Sequence, residues 1–496
     1  MSQVIPFYSA LTVRGVGSDA VESPTQEWLD MAIRWELIDD LLEGTWRMRE
    51  LGEKWLPREP LEEVRQYVIR LSRAVLFEAY SDTVSNLASK PFAREVTVTG
   101  ELPDAVESLK YNIDMCGTSI TDFSRAVYED AMNHGLSHVL VDFPRTGGSQ
   151  TAADEMRGTV RPYFTHVKAR DLIGWRFTVD EVTGEKYLTQ VRIREDYTRE
   201  NGEFGTEKVE RIRVLTPGEF VVYERTGDEK TFTEAERGSI MIGGAPSSRI
   251  PLKTVYFDKT GYMKAKPPLE GLAWLNLSHW QSTADHRNYL RFARIGILFA
   301  SGFMPEEVEK GIKIAPTAVT ASTNENAKLG YVEHAGKAFD AGVKDLKMIE
   351  DAMEALGMRP FEKGSARQTA TGIAVDENNT DSQVQAWIRA MEHLLESCFG
   401  LAFEWLKIEE PNDFAVDIFN EFKIPIRASD DIDKLIELRA NTQISHKTLF
   451  NELRRRGLLS DDVNHEEEFE KIQQEMMDLM GTPSEEEDDD DEPEVT

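Results

Sequence analysis

The sequence predicts an α+β fold built on long helices, and three observations predict it. Residues from about Leu269 to Arg294, within PPLEGLAWLNLSHWQSTADHRNYLRFARIG, read as one helix of roughly seven turns. A second long helical run extends from near Gly372 to Lys407 and carries Trp387, Ile388, Met391, Leu394, Leu395 and Phe399. Between them in character, though earlier in the chain, lies strand-rich sequence from HVLVDFP at 138 to VYFDK near 259.

The elements follow in order. Residues 1 to 22 are irregular. SPTQ offers Ser23 as N-cap, Pro24 at the first helical position and Gln26 closing a capping box. The helix after it repeats Trp28, Met31, Trp35, Ile38 and Leu42 at three-four spacing. A second helix is expected from about Leu61 to Thr83, then a strand at EVTVTG, 95 to 100. Ser119 and Asp122 match a capping box, and that helix closes at NHG. LTQVRIRE alternates with period two, and ERIRVLTPGEFVVYER pairs two runs across a Pro-Gly turn, so the β region should be mostly antiparallel. After the long helix, residues 296 to 336 look irregular. A helix over 338–356, the polar stretch FEKGSARQTATG, the very long helix and a strand within FAVDIFNEFKIPI follow. The chain ends in a helical unit and an acidic tail.

Composition limits the function classes. At 496 residues there is enough chain for two to four domains. The net charge is −32, and nine of those charges lie in Glu485–Glu494, which leaves −23 for the rest. A body this acidic does not hold nucleic acid by counterion release, which needs clustered Lys and Arg. Cys116 and Cys398 show no pairing pattern and are expected as reduced, buried thiols. The N-terminus lacks signal-peptide features, and no window approaches ~18 uninterrupted apolar residues, so a soluble chain without a membrane partner is expected.

Motifs for chemistry are missing. FEKGSARQTATG has the composition of a phosphate loop, but Gly364 and Gly372 are eight apart and no Lys follows the second. His134 and His138 are separated by Gly135, and His279 and His286 lack an intervening HExxH carboxylate. All four are expected at the surface or the edge of the core. DDLLE, EDAME and SDDVNHEEE read as solvated helix faces rather than Mg²⁺ clusters. No catalytic residue, metal site or cofactor is expected. Arg287, Arg291 and Arg294, with His286, end the first long helix, where cations complement the helix dipole. LRRRGLL at 453–459 is a short basic patch suited to pairing with acidic helices.

The order of elements, and the phrases GEKWLPR, SNLASKPF, GLSHVLVDFP, RPYFTHVKARDLIGWRF, LTQVRIRE, LAWLNLSHWQSTADHRNYLRFA and ISHKTLFNELRRRGLL, resemble the portal proteins of tailed bacteriophages over residues 25 to 480. The resemblance implies a portal-type, ring-forming fold. Its parts would be an N-terminal arm (1–24), a mixed α/β wing (25–267), a stem helix (268–295), a clip (296–337) and a second stem helix (338–357). A tunnel loop (358–370), the long helix with a wing strand (371–426), a crown (427–480) and a disordered acidic tail (481–496) would complete it. It also implies a non-enzymatic ring of roughly twelve subunits at one capsid vertex of the virion, assembled in the host cytoplasm. The implied partners are the terminase large subunit, a head-tail adaptor, major capsid and scaffolding proteins, and double-stranded DNA in the channel. Lys363, Gly364, Ser365, Arg367, Gln368 and Thr369 would form the channel-facing loop, with Arg359 behind them, and Arg287, Arg291 and Arg294 would be stem cations. Two rivals stand beside this reading: another structural virion protein, such as an adaptor or minor capsid component, and a metal- or nucleotide-dependent enzyme.

Overall fold

Helix α1 (Gln26–Leu42) turns Trp28, Met31, Trp35 and Ile38 inward, as their spacing predicts, while Leu42 ends exposed. The structure, a computed structural model, describes residues 19–143, 161–227, 231–295, 297–303, 324, 326–332, 337–358, 370–420, 435–441, 443–455, 468–469 and 471. The start of α1 differs from expectation: Thr25, not Ser23, is the N-cap, and no side chain caps the helix. The Thr25 N–H instead donates to the Ile173 carbonyl at 3.0 Å, and Gln26 Nε2 donates to Asp30 at 2.8 Å. A tertiary bond has replaced the capping box.

After α2 (Gly44–Leu51), the run expected as one helix over 61–83 is two, α3 (Val64–Arg73) and α4 (Ala79–Ser89). Distant groups hold the break. Arg49 donates to the Ala74 carbonyl at 2.8 Å, the Leu76 N–H donates to Thr45 Oγ1 at 3.1 Å, and Asn276 Nδ2 donates to the Phe77 carbonyl at 2.7 Å. These bonds satisfy backbone groups that a continuous helix would have paired internally. The short α5 (Asp104–Glu107) precedes α6 (Ile120–His134). Ser119 caps α6 by accepting from the Asp122 N–H at 3.1 Å, as its motif predicts. Gly135 ends it at φ +86°, where an added Cβ would lie 2.3 Å from the Lys266 carbonyl oxygen, so only glycine fits.

The strands are β1 (Thr97–Thr99), β2 (Leu136–Asp142), β3 (Tyr163–Val167), β4 (Leu172–Val179), β5 (Lys186–Asn201), β6 (Gly205–Thr216), β7 (Glu219–Thr226) and β8 (Thr233–Ser239). The short β9 (Met241–Ile242) and β10 (Ala245–Pro246) come next, then β11 (Leu252–Tyr256), β12 (Lys259–Gly261), β13 (Lys264–Ala265), β14 (Ile297–Ser301), β15 (Lys328–Val332) and β16 (Ala415–Asp417). Strands β4 to β8 form a five-stranded antiparallel meander, turned between β6 and β7 at Gly218. A three-stranded sheet has the order β11-β2-β3, and β1 pairs with β16 from the far end of the chain. The arrangement is a mixed α and β fold, with no closed barrel among the described residues. Its core joins α1 to β2 and to β4–β6 through Trp28, Trp35, Leu172, Val191 and Ile212.

Three helices complete this first unit, residues 1–420: α7 (Glu270–Ile295), α8 (Lys337–Met353) and α9 (Ala370–Leu406). Their bounds fall within three residues of the sequence expectation, the largest difference being the end of α8 at Met353 where the sequence predicts 356. Helix α9 lies against the β11-β2 sheet, with Trp387 stacked on Phe257 at 5.0 Å and Phe399 edge-on to Phe164 at 5.4 Å. The stretch 296–336, expected to be irregular, contains the antiparallel pair β14–β15, whose register joins Ile297 to Val332 and Ser301 to Lys328. Cys398 is buried and its thiol is pushed up to about 12 by burial, but Cys116 is exposed in the turn before α6, contrary to the expectation of two buried thiols. Both are free.

The second unit, residues 421–496, contains a helix at 435–440 and another at His446–Arg455. Ser445 Oγ accepts from the Thr448 N–H at 3.1 Å, and Phe450 is buried. The acidic tail lies outside the described residues.

Candidate functional site

The sites that the sequence singled out divide between described and undescribed residues. Lys363, Gly364, Ser365, Arg367, Gln368 and Thr369, with Arg359, lie outside the described residues. Arg287 and Arg291 are on the last three turns of α7, Arg287 exposed and Arg291 half-buried; Arg294 is in the final turn. What the structure does show is the device that carries them, an antiparallel helical hairpin.

The hairpin has an anchored base. Glu270, in the first turn of α7, pairs with Arg34 at 3.0 Å. Asn276 is fully buried, accepts from the Tyr80 N–H at 3.0 Å and donates to the Phe77 carbonyl at 2.7 Å. Gln281 donates to the Trp55 carbonyl at 2.6 Å. Asp285 meets Arg70 at 2.8 Å, and Arg70 also grips Glu62 through two bonds of 2.9 and 2.8 Å. That pairing holds the Glu62 carboxyl below the usual range. These bonds fasten the first four turns of α7 to α1, to Trp55 after α2, to α3 and to the α3–α4 break.

The second helix packs by close approach. An added Cβ on Gly357 would lie 2.7 Å from Leu272 and 2.9 Å from Thr83, and one on Gly342 would lie 2.5 Å from His286 Nδ1. Gly342 lets α8, and Gly357 lets the turn after it, come near α7. Glu350 contacts His279 at 3.3 Å, and Tyr289 meets Phe339 at 4.8 Å near the tip. Five π-helical residues, Glu354–Met358, return the chain to the body, and Met353 and Gly357 are buried there. At the other end β14 and β15 continue the two helices as a ribbon. The hairpin exposes apolar side chains: Met348 is 71% exposed, Leu356 56% and Val343 55%, while Trp274, half-exposed, meets Trp55 of the body edge-on at 6.4 Å.

A second constellation is buried in the body, and the sequence did not disclose it. His134 and His138, expected at the surface or core edge, are both buried. His134 Nδ1 donates to Asp130 Oδ1 at 2.7 Å and Nε2 donates to Asp39 Oδ1 at 2.9 Å, so the ring is a doubly donating imidazolium. Asp39 also pairs with Arg170, and the Asp130 carboxylate accepts from the Ala169 N–H at 3.0 Å. The neighbouring carboxylates raise His134 to about 9 against the opposing effect of burial, and the two histidines hold Asp130 well below the carboxylate range. His138, by contrast, is pushed down to about 3 by burial and sits 2.8 Å from Thr254 Oγ1. Ser137, His166 and Asp130 have the residue types of a hydrolytic triad but not its geometry. Ser137 Oγ at 2.9 Å and Asp130 Oδ2 at 3.5 Å approach the same nitrogen, His166 Nε2, and Ser137 is fully buried. The cluster is a latch between α1, α6 and the β-sheets.

The acidic DDLLE stretch also differs from the solvated face expected of it. Asp40 is buried and is bonded by Lys54 at 2.6 Å, Trp55 Nε1 at 2.8 Å and Arg47 at 3.2 Å. Among the described residues, no group of three or more His, Cys, Asp or Glu side chains is placed to hold a metal ion. No helix among them is long and apolar enough to cross a membrane.

Comparison with known proteins places the hairpin within a recognised sequence unit. A family model described as a domain of unknown function, DUF4055, matches residues 268–406, the span from the start of α7 to the end of α9. No curated protein matches the chain. Among solved structures, the chain is similar to a protein in the neck of an empty GTA particle computed with C6 symmetry. The two share 10% identity and a TM-score of 0.41, over 86% of this chain and 96% of that one. A protein of the neck of the native GTA particle, computed with C12 symmetry, also has 10% identity and a TM-score of 0.41, over 83% and 98%. A protein of the virion of the native gene transfer agent particle has 10% identity and a TM-score of 0.40, over 80% and 96%.

Proposed function

We propose that the chain is a virion structural subunit of the portal type: copies form a closed ring through which DNA enters and leaves a capsid. The observation that carries the reading is the α7–α8 hairpin. Its base is fastened to the body by buried polar groups, its tip extends into the β14–β15 ribbon, and the 37-residue α9 follows. The outward apolar side chains of α8 are surface that a neighbouring copy would cover in a head-to-tail contact, the kind that closes into rings.

Charge supports the same reading. About twelve copies at −32 each give a formal charge on the order of −400. An acidic lumen repels phosphates and guides DNA without retaining it, whereas a basic one would hold DNA at moderate salt. Placed cations then make the few phosphate contacts, and Lys363 and Arg367, with Arg359 behind them, are the residues assigned to that role. Arg287, Arg291 and Arg294 face the same task on the stem. The clip would dock a terminase large subunit and later a head-tail adaptor, and the outer body would meet capsid and scaffolding proteins. In this reading the chain has no catalytic activity of its own. Negative-stain imaging or native mass measurement of the purified chain tests the proposal: a closed ring supports it, and strong ATP or DNA hydrolysis with Mg²⁺ would overturn it.

A further inference from the structure

Buried and half-buried arginines in the body mostly meet carboxylates: Arg70 meets Glu62 and Asp285, Arg213 meets Asp142 and Glu195, and Arg170 meets Asp39. Arg192 on β5 does not. Its NH1 donates to the carbonyls of Val21 and Ala20, at 3.0 and 3.4 Å, and its guanidinium lies over Gly174, where a Cβ would come within 2.4 Å of NH2. The group is therefore fixed from both sides, by backbone and not by opposite charge. Burial pushes the Arg192 pKa down, and Arg176 of β4, a second cation, pushes it the same way. Two guanidiniums that repel each other line one cavity of about 500 Å³, within the size range of small-ligand sites.

The rest of the lining is suited to a ligand. Gln190 and Tyr223 line the cavity with Val21, Val214 and Phe232, so polar and apolar residues share its wall. Asp19 and Glu22 also border it, and no ion pair joins either to the two arginines. Rim carboxylates disfavour an extended polyanion such as a nucleic-acid backbone, but leave room for one anionic head directed at the arginine pair. We propose that this face of the five-stranded sheet is a binding site for a small oxyanion, a carboxylate or phosphate group on a compact body with an apolar side, held by Arg176 and Arg192. A charge-assisted, forked interaction is what guanidinium groups make with both classes. The site lies on β4 and β5, apart from the hairpin, and does not depend on the ring reading.

The test uses the full chain. Binding of inorganic phosphate and of benzoate is measured by calorimetry and by thermal unfolding, each against sodium chloride at matched ionic strength. One site per chain is expected, with a rise in Tm beyond that given by chloride; preference for phosphate or for benzoate identifies the class. Arg176→Gln alters an exposed side chain and should weaken binding about tenfold, the loss of one charge-assisted interaction. Arg192→Gln should abolish binding, and if it fails to fold the Arg176 variant still decides. Neither anion exceeding chloride, or equal binding by wild type and Arg176→Gln, would overturn the proposal.

Discussion

The body latch around Asp130 and the α7–α8 hairpin solve opposite problems. In the latch every charge finds its partner within the chain: His134 between Asp130 and Asp39, Asp39 with Arg170, and the Asp130 carboxylate with Ala169 N–H. In the hairpin, helices meet through glycines and a few rings, while Val343, Met348 and Leu356 point outward. The first region is complete in one copy. The second exposes apolar surface that one copy leaves uncovered. On the proposed reading, the difference teaches that the chain would separate the job of folding from the job of assembling.

Breaking the latch should have the largest effect. Asp130→Ala leaves a buried imidazolium and a backbone N–H without their carboxylate and should cost about 3–5 kcal/mol in chemical denaturation, the usual penalty for half of a buried pair. Titrating it gives a signed test. His134 has a folded pKa of about 9 against an unfolded value near 6.5, so its contribution is full below about pH 6.5 and is lost as pH rises through 9. His138 is depressed to about 3, so its contribution is lost as pH falls below 6.5. Stability from this region should therefore peak near pH 6.5, and the alkaline decline, on the order of 3 kcal/mol, should vanish in His134→Gln.

The hairpin should respond more weakly and locally. Gly342→Leu forces a side chain into His286 and should cost about 1–3 kcal/mol, seen as protease sensitivity of the hairpin with the body intact. Val343→Asp with Met348→Asp should change subunit stability by less than about 0.5 kcal/mol, as surface substitutions do, yet prevent assembly. Smallest of all for the fold is Lys363→Ala with Arg367→Ala. That pair should leave assembly unchanged and alter DNA packaging or retention in a particle assay.

The contrast also explains what the sequence disclosed. Periodic apolar spacing located α1, α7, α8 and α9, and Ser119 and Gly135 marked the ends of α6, because these signals are local. The α3–α4 break was not legible, since the groups that hold it, Arg49, Thr45 and Asn276, come from elsewhere in the chain. Strands β14 and β15 pair across 26 intervening residues, and nothing in either short run announces its partner. The latch was hidden for the same reason. His134 and His138 stood out as a doublet, but their partners are Asp130 one turn back on α6 and, from two distant stretches, Asp39 and Thr254. Arg192 carried no signal at all; its interest lies in a carboxylate that is not there.

One measurement bears most directly on the central claim. The chain of 496 residues, purified without denaturant, should give a closed ring of many copies by native mass measurement, and Val343→Asp with Met348→Asp should return it to folded single subunits. A wild-type chain that stays monomeric at every concentration and ionic strength would contradict the account.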